Sequence, residues 1–432
     1  MKGNMKENIL KIDYHTHTLS NGLKVIFYQD KTAPVVAVNI WYKVGSANER
    51  PGKTGFAHLF EHMMFQGSLN IPKEGHFRYI QEAGGSLNGS TSIDRTNYFE
   101  TVPANYLELA LWLEADRMGY LLPALTKEKL DNQKDVVMNE RRQRYENQPY
   151  GSAWEILFSN LFSEDHSYHW PTIGWMKDIE KFELEDVRNF FGTYYAPNNA
   201  TLVIGGNFET DNAIELVKKY FEEIPGGNTI SGINVPAQSL NENKKVIHED
   251  NIQLPRIYLA WHTEKAFDRY DAALDVLSDI LSASKNSRLH KSLVFDKQIA
   301  QDVSAFQYSA RLAGSNIIVA TAKPGIGLDE IKTQILDEIK LLIDDGISEE
   351  ELTRAKNSIK ATFIFSLQKL ELVTDHLNHY NYFLDEPDSF LFDLKRYEDV
   401  TAEDIVNAAK KYLLNPFVEL NIIPKKVINN VR

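Results

Sequence analysis

Two stretches of this chain repeat each other 218 positions apart. Glu180, Glu185-Asp186-Val187, Asn189, Tyr194, Leu202 and Ile204 recur as Glu398, Glu403-Asp404-Ile405, Asn407, Tyr412, Leu420 and Ile422. Each copy reads as a capped helix, a short turn and a strand. Between them, near the middle of the 432 residues, a stretch rich in Gly, Pro, Asn and Ser runs from Pro225-Gly226-Gly227-Asn228 through Val235-Pro236 to Asn243-Lys244. Such a composition marks a linker. A duplicated unit with a linker at the midpoint constrains the fold to two similar α+β halves, residues 1–228 and 244–432, joined by 229–243. Each half then has an ordinary domain size.

Composition narrows the chemistry. A formal charge of −13 argues against a nucleic-acid partner, which calls for a basic stripe. No apolar run approaches the ~20 residues needed to span a bilayer. Residues 1–7 carry lysines with no apolar signal core behind them, so a cytoplasmic location is expected. The chain has no cysteine, which excludes disulfides, iron–sulfur clusters, thiol catalysis and cysteine-ligated zinc. A metal here has only His, Asp or Glu to bind it.

Local patterns place the elements. Residues 15–19 and 23–28 flank Ser20-Asn21-Gly22, a hairpin signal, and 35–44 is a third β-rich run. Helical spacing runs over 55–65 and stops at Gly67-Ser68. Ala83-Gly84-Gly85 breaks another short helix, and 87–102 returns to strand-like content. Residues 106–120 and 127–147 read as helices. Ser348-x-x-Glu351 is a capping box, and Glu349-Glu350-Glu351 suits the positive end of a helix.

Within the first helical stretch lies His58-Leu59-Phe60-Glu61-His62, an H-x-x-E-H sequence. At ~100° per residue, His58 and His62 stand one turn apart on one side, so both imidazoles can reach a single ion. Glu61 projects towards the same edge and can take a proton from water at the metal. A catalytic zinc site also needs a third protein ligand and an open position. Glu140 is a natural donor on another helix, but Glu128, Asp135 and Glu146 compete with it on spacing alone.

The chain resembles the pitrilysin/insulinase family of inverted zinc endopeptidases, in the two-domain branch that includes bacterial relatives of the mitochondrial processing peptidase. The resemblance rests on Gly55 through Ser68, on Gly84-Gly85-x-x-Asn88-x-x-Thr91-x-x-Asp94-x-Thr96-x-Tyr98, on Asp135-Val136-Val137-x-x-Glu140, and on Pro171-Thr172-Ile173-Gly174. It implies an α+β fold of two homologous halves, each a mixed, mainly antiparallel sheet packed with helices, enclosing a cleft. It further implies one Zn2+ per chain held by His58, His62 and Glu140, with Glu61 as general base. A peptide substrate would add as a strand beside 87–93, against Asn88, Gly89, Ser90 and Thr91. A bacterial source is expected.

Two departures from the family pattern matter. Many relatives carry a second Glu two helical turns before the distal ligand, where this chain has Gln133, able to orient a ligand but not to add charge. Relatives also use an Arg and a Tyr, seven residues apart in the second half, on the substrate. Those positions hold Val294 and Gln301, while Arg288 and Tyr308 lie out of frame. The expectation is a partner, a homologous metal-free subunit that supplies the Arg/Tyr pair. A non-catalytic scaffold subunit is the alternative from another class, and a hydrolase of non-peptide amides a third. His376-x-x-His379 reads as a solvated or aromatic-packed face, His166-x-x-His169 as loop polarity, His15 and His17 as one exposed strand face, and Gly325-x-Gly327 as a turn. The second half has no H-x-x-E-H, so one active site per chain is expected.

Overall fold

The computed structural model describes residues 10–425, so the reading of residues 1–7 lies outside the described residues. Two compact units divide the chain. The first comprises Met1–Arg141, Trp170–Asn234 and Ile364–Asp393; the second comprises Arg142–His169, Val235–Phe363 and Leu394–Arg432. Each half of the sequence therefore contributes a segment to the unit built mainly from the other half. The 229–243 stretch contains no helix or strand.

The first unit is built on six strands: β1 (His15–Thr18), β2 (Lys24–Gln29), β3 (Val35–Tyr42), β4 (Ser86–Thr91), β5 (Thr96–Pro103) and β6 (Ala200–Gly206). Their order is β1-β2-β6-β3-β5-β4. Only β2 and β6 run parallel; the other pairs are antiparallel. The expected hairpin forms, with Thr18 opposite Lys24 and Gly22 supplying a positive φ of 90° in the turn. Central β6 is buried along its whole length, flanked by β2 and β3 and covered by helix. One cover is the Leu370–Leu384 helix: its Asn378 donates to the Asn39 carbonyl at 3.0 Å and its Asn381 to Thr201 Oγ1 at 3.1 Å.

Four helices of this unit bear on the site: α1 (Phe56–Met63), α2 (Gly75–Glu82), α3 (Leu107–Tyr120) and α4 (Lys127–Arg141). The 127–147 pattern is α-helical only as far as Arg141; a wider π-type turn, Arg142–Glu146, follows.

The second unit carries β7 (Lys244–Asp250), β8 (Arg256–Thr263), β9 (Ala300–Ser309), β10 (Gly314–Ala322) and β11 (Val418–Pro424), in the order β7-β11-β8-β10-β9. Here β7 and β11 are the parallel pair. The core lies between this sheet and helices that include Asp271–Ser282, Leu328–Asp345 and Ala402–Tyr412.

The duplication is structural. The helix Leu184–Tyr194 and strand β6 match the helix Ala402–Tyr412 and strand β11 bound for bound at the 218-residue offset. Both helices begin with a capping box, Glu183 with Asp186 and Thr401 with Asp404. The pairing of Tyr42 with Ala200 recurs as Ala260 with Val418. At that offset His58, Glu61 and His62 correspond to Val276, Asp279 and Ile280, and the two apolar residues are buried in the second core. Among the described residues no helix is long and apolar enough to cross a membrane.

Candidate metal centre

The helix that carries the motif is anchored at its first turn. Gly55 precedes α1 with a φ of 98°, and both oxygens of buried Glu49 accept backbone protons there, from Gly55 N and Ala57 N at 2.8 Å each. This caps donors that a helix start otherwise leaves open. Burial pushes the Glu49 carboxyl up to about 8, against the pull of those two N–H groups. Thr54 Oγ1 donates to Asp178 Oδ2 at 2.8 Å and accepts from Trp175 N at 2.9 Å. Gly174 stands so close that a β-carbon on it would lie 2.4 Å from Gly55 Cα. The Pro171-Thr172-Ile173-Gly174 segment is thus a brace for the start of α1, and Glu49 is a part of it that no sequence spacing signalled.

Apolar packing then sets the rotation of α1. Phe56 stacks on Phe182 at 3.8 Å between centroids, and Phe60 stacks on Tyr195 at 5.0 Å. With Phe56, Ala57, Leu59, Phe60 and Met63 buried, His58, Glu61 and His62 are left on the partly exposed stripe. On α4, Leu130, Gln133, Val137 and Arg141 face inward, and the Arg141 guanidinium lies over Trp175, 5.6 Å from the ring centroid. Packing α4 on α1 brings Glu140 Oε2 to 3.2 Å from His62 Nε2 and 3.8 Å from His58 Nε2.

One ligand atom from each of His58, His62 and Glu140 lies within 4.8 Å of the others, and this is the one such group among the described residues. Glu128, Asp135 and Glu146 do not join it. Two imidazole nitrogens and one carboxylate oxygen suit zinc and leave a coordination position open.

Glu61 is held from β4. Thr91 Oγ1 donates to Glu61 Oε2 at 2.6 Å. Burial raises the Glu61 pKa; the Thr91 hydrogen bond and His62 oppose that, and Glu140 adds to it. Gly89 lies against the stem of this side chain, since a β-carbon there would stand 3.3 Å from Glu61 Cγ. Phe65 and Tyr98 back the same spot, and buried Arg117, paired with Glu114, lies over both rings. Asn88 Oδ1 accepts from Gly89 N at 2.9 Å, and Ser90 Oγ donates to Asn97 Oδ1 at 2.7 Å. All four residues named as substrate contacts therefore lie on β4, the end strand of the sheet.

Gln133 is buried, and its side-chain amide donates to Asn132 Oδ1 at 2.9 Å, not to His58, His62 or Glu140. In the second unit, Val294 packs against the core and Gln301 is exposed. Arg288 is committed elsewhere: Nε and Nη2 bond both oxygens of Glu351 at 2.6 and 2.9 Å, and Nη2 also reaches the Gly346 carbonyl at 2.8 Å. The Glu351 capping box forms as read from the sequence.

His376 bonds Ser366 Oγ at 2.9 Å and stacks on Tyr380, as an aromatic-packed face predicts. His166 departs from the loop reading. It is buried, stacks on Phe162 and accepts from Tyr168 N at 3.0 Å, so its surroundings and not solvent account for it.

Residues 24–168 match the family model described as insulinase (peptidase family M16), and residues 181–359 match the one described as peptidase M16 inactive domain. The chain is 31% identical over 407 residues to a zinc protease PqqE of Helicobacter pylori, covering 91% of this chain and 89% of that one. It is 24% identical over 422 residues to a probable mitochondrial-processing peptidase subunit beta of Arabidopsis thaliana, covering 94% of this chain and 77% of the relative. A crystal structure of a protease from Helicobacter pylori superposes with a TM-score of 0.89 at 28% identity, covering 96% of this chain and all of that one. The periplasmic protease PqqL from Escherichia coli gives 0.77 for its first half at 18% identity, a likeness of fold. With both halves of the motif-bearing fold matched, this chain belongs to peptidase family M16.

Proposed function

We propose that this chain is a zinc-dependent endopeptidase, acting on peptides or unfolded segments, whose site is completed by a related metal-free subunit. The observation that carries the reading is the convergence of His58, His62 and Glu140 within 4.8 Å, with Glu61 beside them. Zinc held by those three side chains would supply Lewis acidity, acidifying water and polarising a peptide carbonyl. Glu61 would accept the water's proton at Oε1 or Oε2 and pass it to the departing amine nitrogen. Its bond from Thr91 keeps the carboxylate aimed while leaving lone pairs for that transfer. A substrate strand would lie along the open edge of β4, where backbone pairing fixes register without reading every side chain.

The partner follows from what the second half lacks. Val294 cannot donate a hydrogen bond, Gln301 is a poor replacement for a phenol, and Arg288 is occupied by Glu351 and Gly346. A homologous subunit carrying the Arg/Tyr pair is the simplest way to supply those donors.

The test is zinc content measured together with cleavage of an unstructured peptide, with and without an Arg/Tyr-bearing relative from the same organism. Glu61→Gln is expected to keep one zinc and lose turnover by ~10²–10⁴-fold. His58→Ala and Glu140→Ala are expected to lose the metal. Turnover surviving in Glu61→Gln overturns the reading, and stoichiometric zinc with no cleavage in either condition favours the scaffold alternative. Full activity from the chain alone removes the partner.

A further inference from the structure

A cavity of about 160 Å³ opens on the face of the first sheet opposite α1, lined by the polar residues Asn39, Ser90, Arg95, Asn97, Glu371 and Asp375 together with Phe99 and Leu372. All of these residues belong to the first unit. The volume is below the ~300 Å³ at which small-molecule sites begin, and suits one amino-acid side chain.

The position relative to β4 says where such a side chain comes from. Gly89 and Thr91 face α1 and Glu61, so Asn88 and Ser90 lie on the other face, and Ser90 lines the cavity there. A strand added beyond β4 alternates in the same manner. Residues of one parity approach Glu61, and their neighbours project over Ser90.

The lining also selects by charge. Arg95 spends its guanidinium on the protein: Nη1 donates to Ser90 O, Ser90 Oγ and Asn97 Oδ1, and the group lies over the Trp41 ring at 5.0 Å. Asp375 Oδ1 accepts from Trp41 Nε1 at 3.0 Å, Asn39 Nδ2 at 3.3 Å and Asn97 Nδ2 at 3.4 Å, all neutral donors. Neither Asp375 nor Glu371 is ion-paired among the described residues. The cavity thus sets two carboxylates against one guanidinium, a net negative lining, and Nη1 of that guanidinium is already engaged by Ser90 and Asn97.

We propose that this cavity is a specificity subsite that takes a Lys or Arg side chain from the substrate strand, at positions of the parity opposite to those facing Glu61. The proposal rests on the strand-addition reading given above. Asp375 is the anchor, held by three donors, and Glu371 is the adjustable wall. A long basic side chain can lay its aliphatic stem on Leu372 and Phe99 and place its head between the carboxylates.

The test uses the full-length zinc-loaded Glu61→Gln chain and a set of unstructured peptides in which a single Lys or its uncharged isostere norleucine is moved one position at a time. Binding is read by fluorescence anisotropy. Lys is expected to tighten binding about tenfold over norleucine at alternate positions only, the low end of coupling for close charge pairs. In Glu371→Lys the preference should reverse at those same positions, and in Glu371→Gln it should shrink. Tight binding with no period-two preference, or a preference untouched by Glu371→Lys, overturns the subsite and leaves strand addition standing. Absence of binding by any peptide defeats strand addition, and the subsite with it.

Discussion

Gly89 on β4 lies against Glu61 on α1: a β-carbon at position 89 would stand 3.3 Å from Glu61 Cγ and 3.2 Å from Phe65 Cε2 and Tyr98 Cδ1. Each distance is a few tenths of an ångström too short for comfort, and Phe65 and Tyr98 are stiff rings beneath the Arg117 guanidinium. The softest of the three neighbours is the Glu61 side chain. Gly89→Ala should therefore displace the carboxylate before it disturbs the fold. Turnover is expected to fall ~10–100-fold, with zinc content unchanged and little change in thermal midpoint. A variant that cleaves like the parent would show that the strand yields instead.

Gly174 has no room at all. Its φ is 78°, and an added β-carbon would lie 2.4 Å from both Gly55 Cα and the Thr54 carbonyl oxygen. Backbone cannot step aside as a side chain can, so the brace on α1 must open. Gly174→Ala is expected to destabilise the protein by roughly 2–4 kcal/mol and to weaken zinc retention, because His58 and His62 ride on the helix that moves. Urea unfolding and competition with a chelator measure the two effects. Undiminished zinc retention in a destabilised variant would uncouple the brace from the metal centre.

Arg288 holds the Glu351 carboxyl down to about 2, from an ordinary 4.5. A carboxylate whose pKa is depressed in the fold adds stability that is complete above 4.5 and is lost as pH falls towards 2. Arg288→Met should cost about 1–3 kcal/mol at neutral pH, where both oxygens of Glu351 lose their charged partner. The gap between variant and parent should close between pH 4.5 and 2, as Glu351 takes up its proton. Denaturation midpoints measured across that range give the comparison. A gap that stays constant to pH 3 would mean that the ion pair is not what Arg288 contributes.

Some of this was written in short range. The hairpin at Ser20-Asn21-Gly22 and the capping box at Ser348 and Glu351 depend on contacts between near neighbours, and both form as read. The same is true of the spacing of His58 and His62, since one helical turn is enough to pair them. The repeat was legible because a duplicated unit keeps its internal register, which survives here to the residue in two helix–strand pairs. Other features depended on distant partners. The helical reading of 127–147 overran because nothing local marks the change to a π-type turn after Arg141. His166 looked like loop polarity because only tertiary packing sets Phe162 and Tyr168 around it. Glu49 and Asp178 gave no signal, since a carboxylate that caps a helix from six residues upstream has no fixed spacing.

By itself the sequence determined the helix that presents two histidines and a glutamate on one stripe, because 3.6-residue periodicity is a local property of the backbone. It also determined the duplicated α+β plan, and the absence of cysteine confined any metal to His, Asp and Glu. Spacing alone left Glu128, Asp135, Glu140 and Glu146 open and the family resemblance pointed to Glu140; the tertiary structure is what brings that residue, and none of the other three, beside His58 and His62. Only the packing of α4 against α1, set by Leu130, Val137 and the apolar side of α1, places one carboxylate 3.2 Å from His62. The same holds for Thr91 on Glu61 and for the carboxylates of Glu371 and Asp375 beside Ser90. Contacts between residues tens or hundreds of positions apart are fixed by how buried faces fit together, and no spacing along the chain encodes that fit.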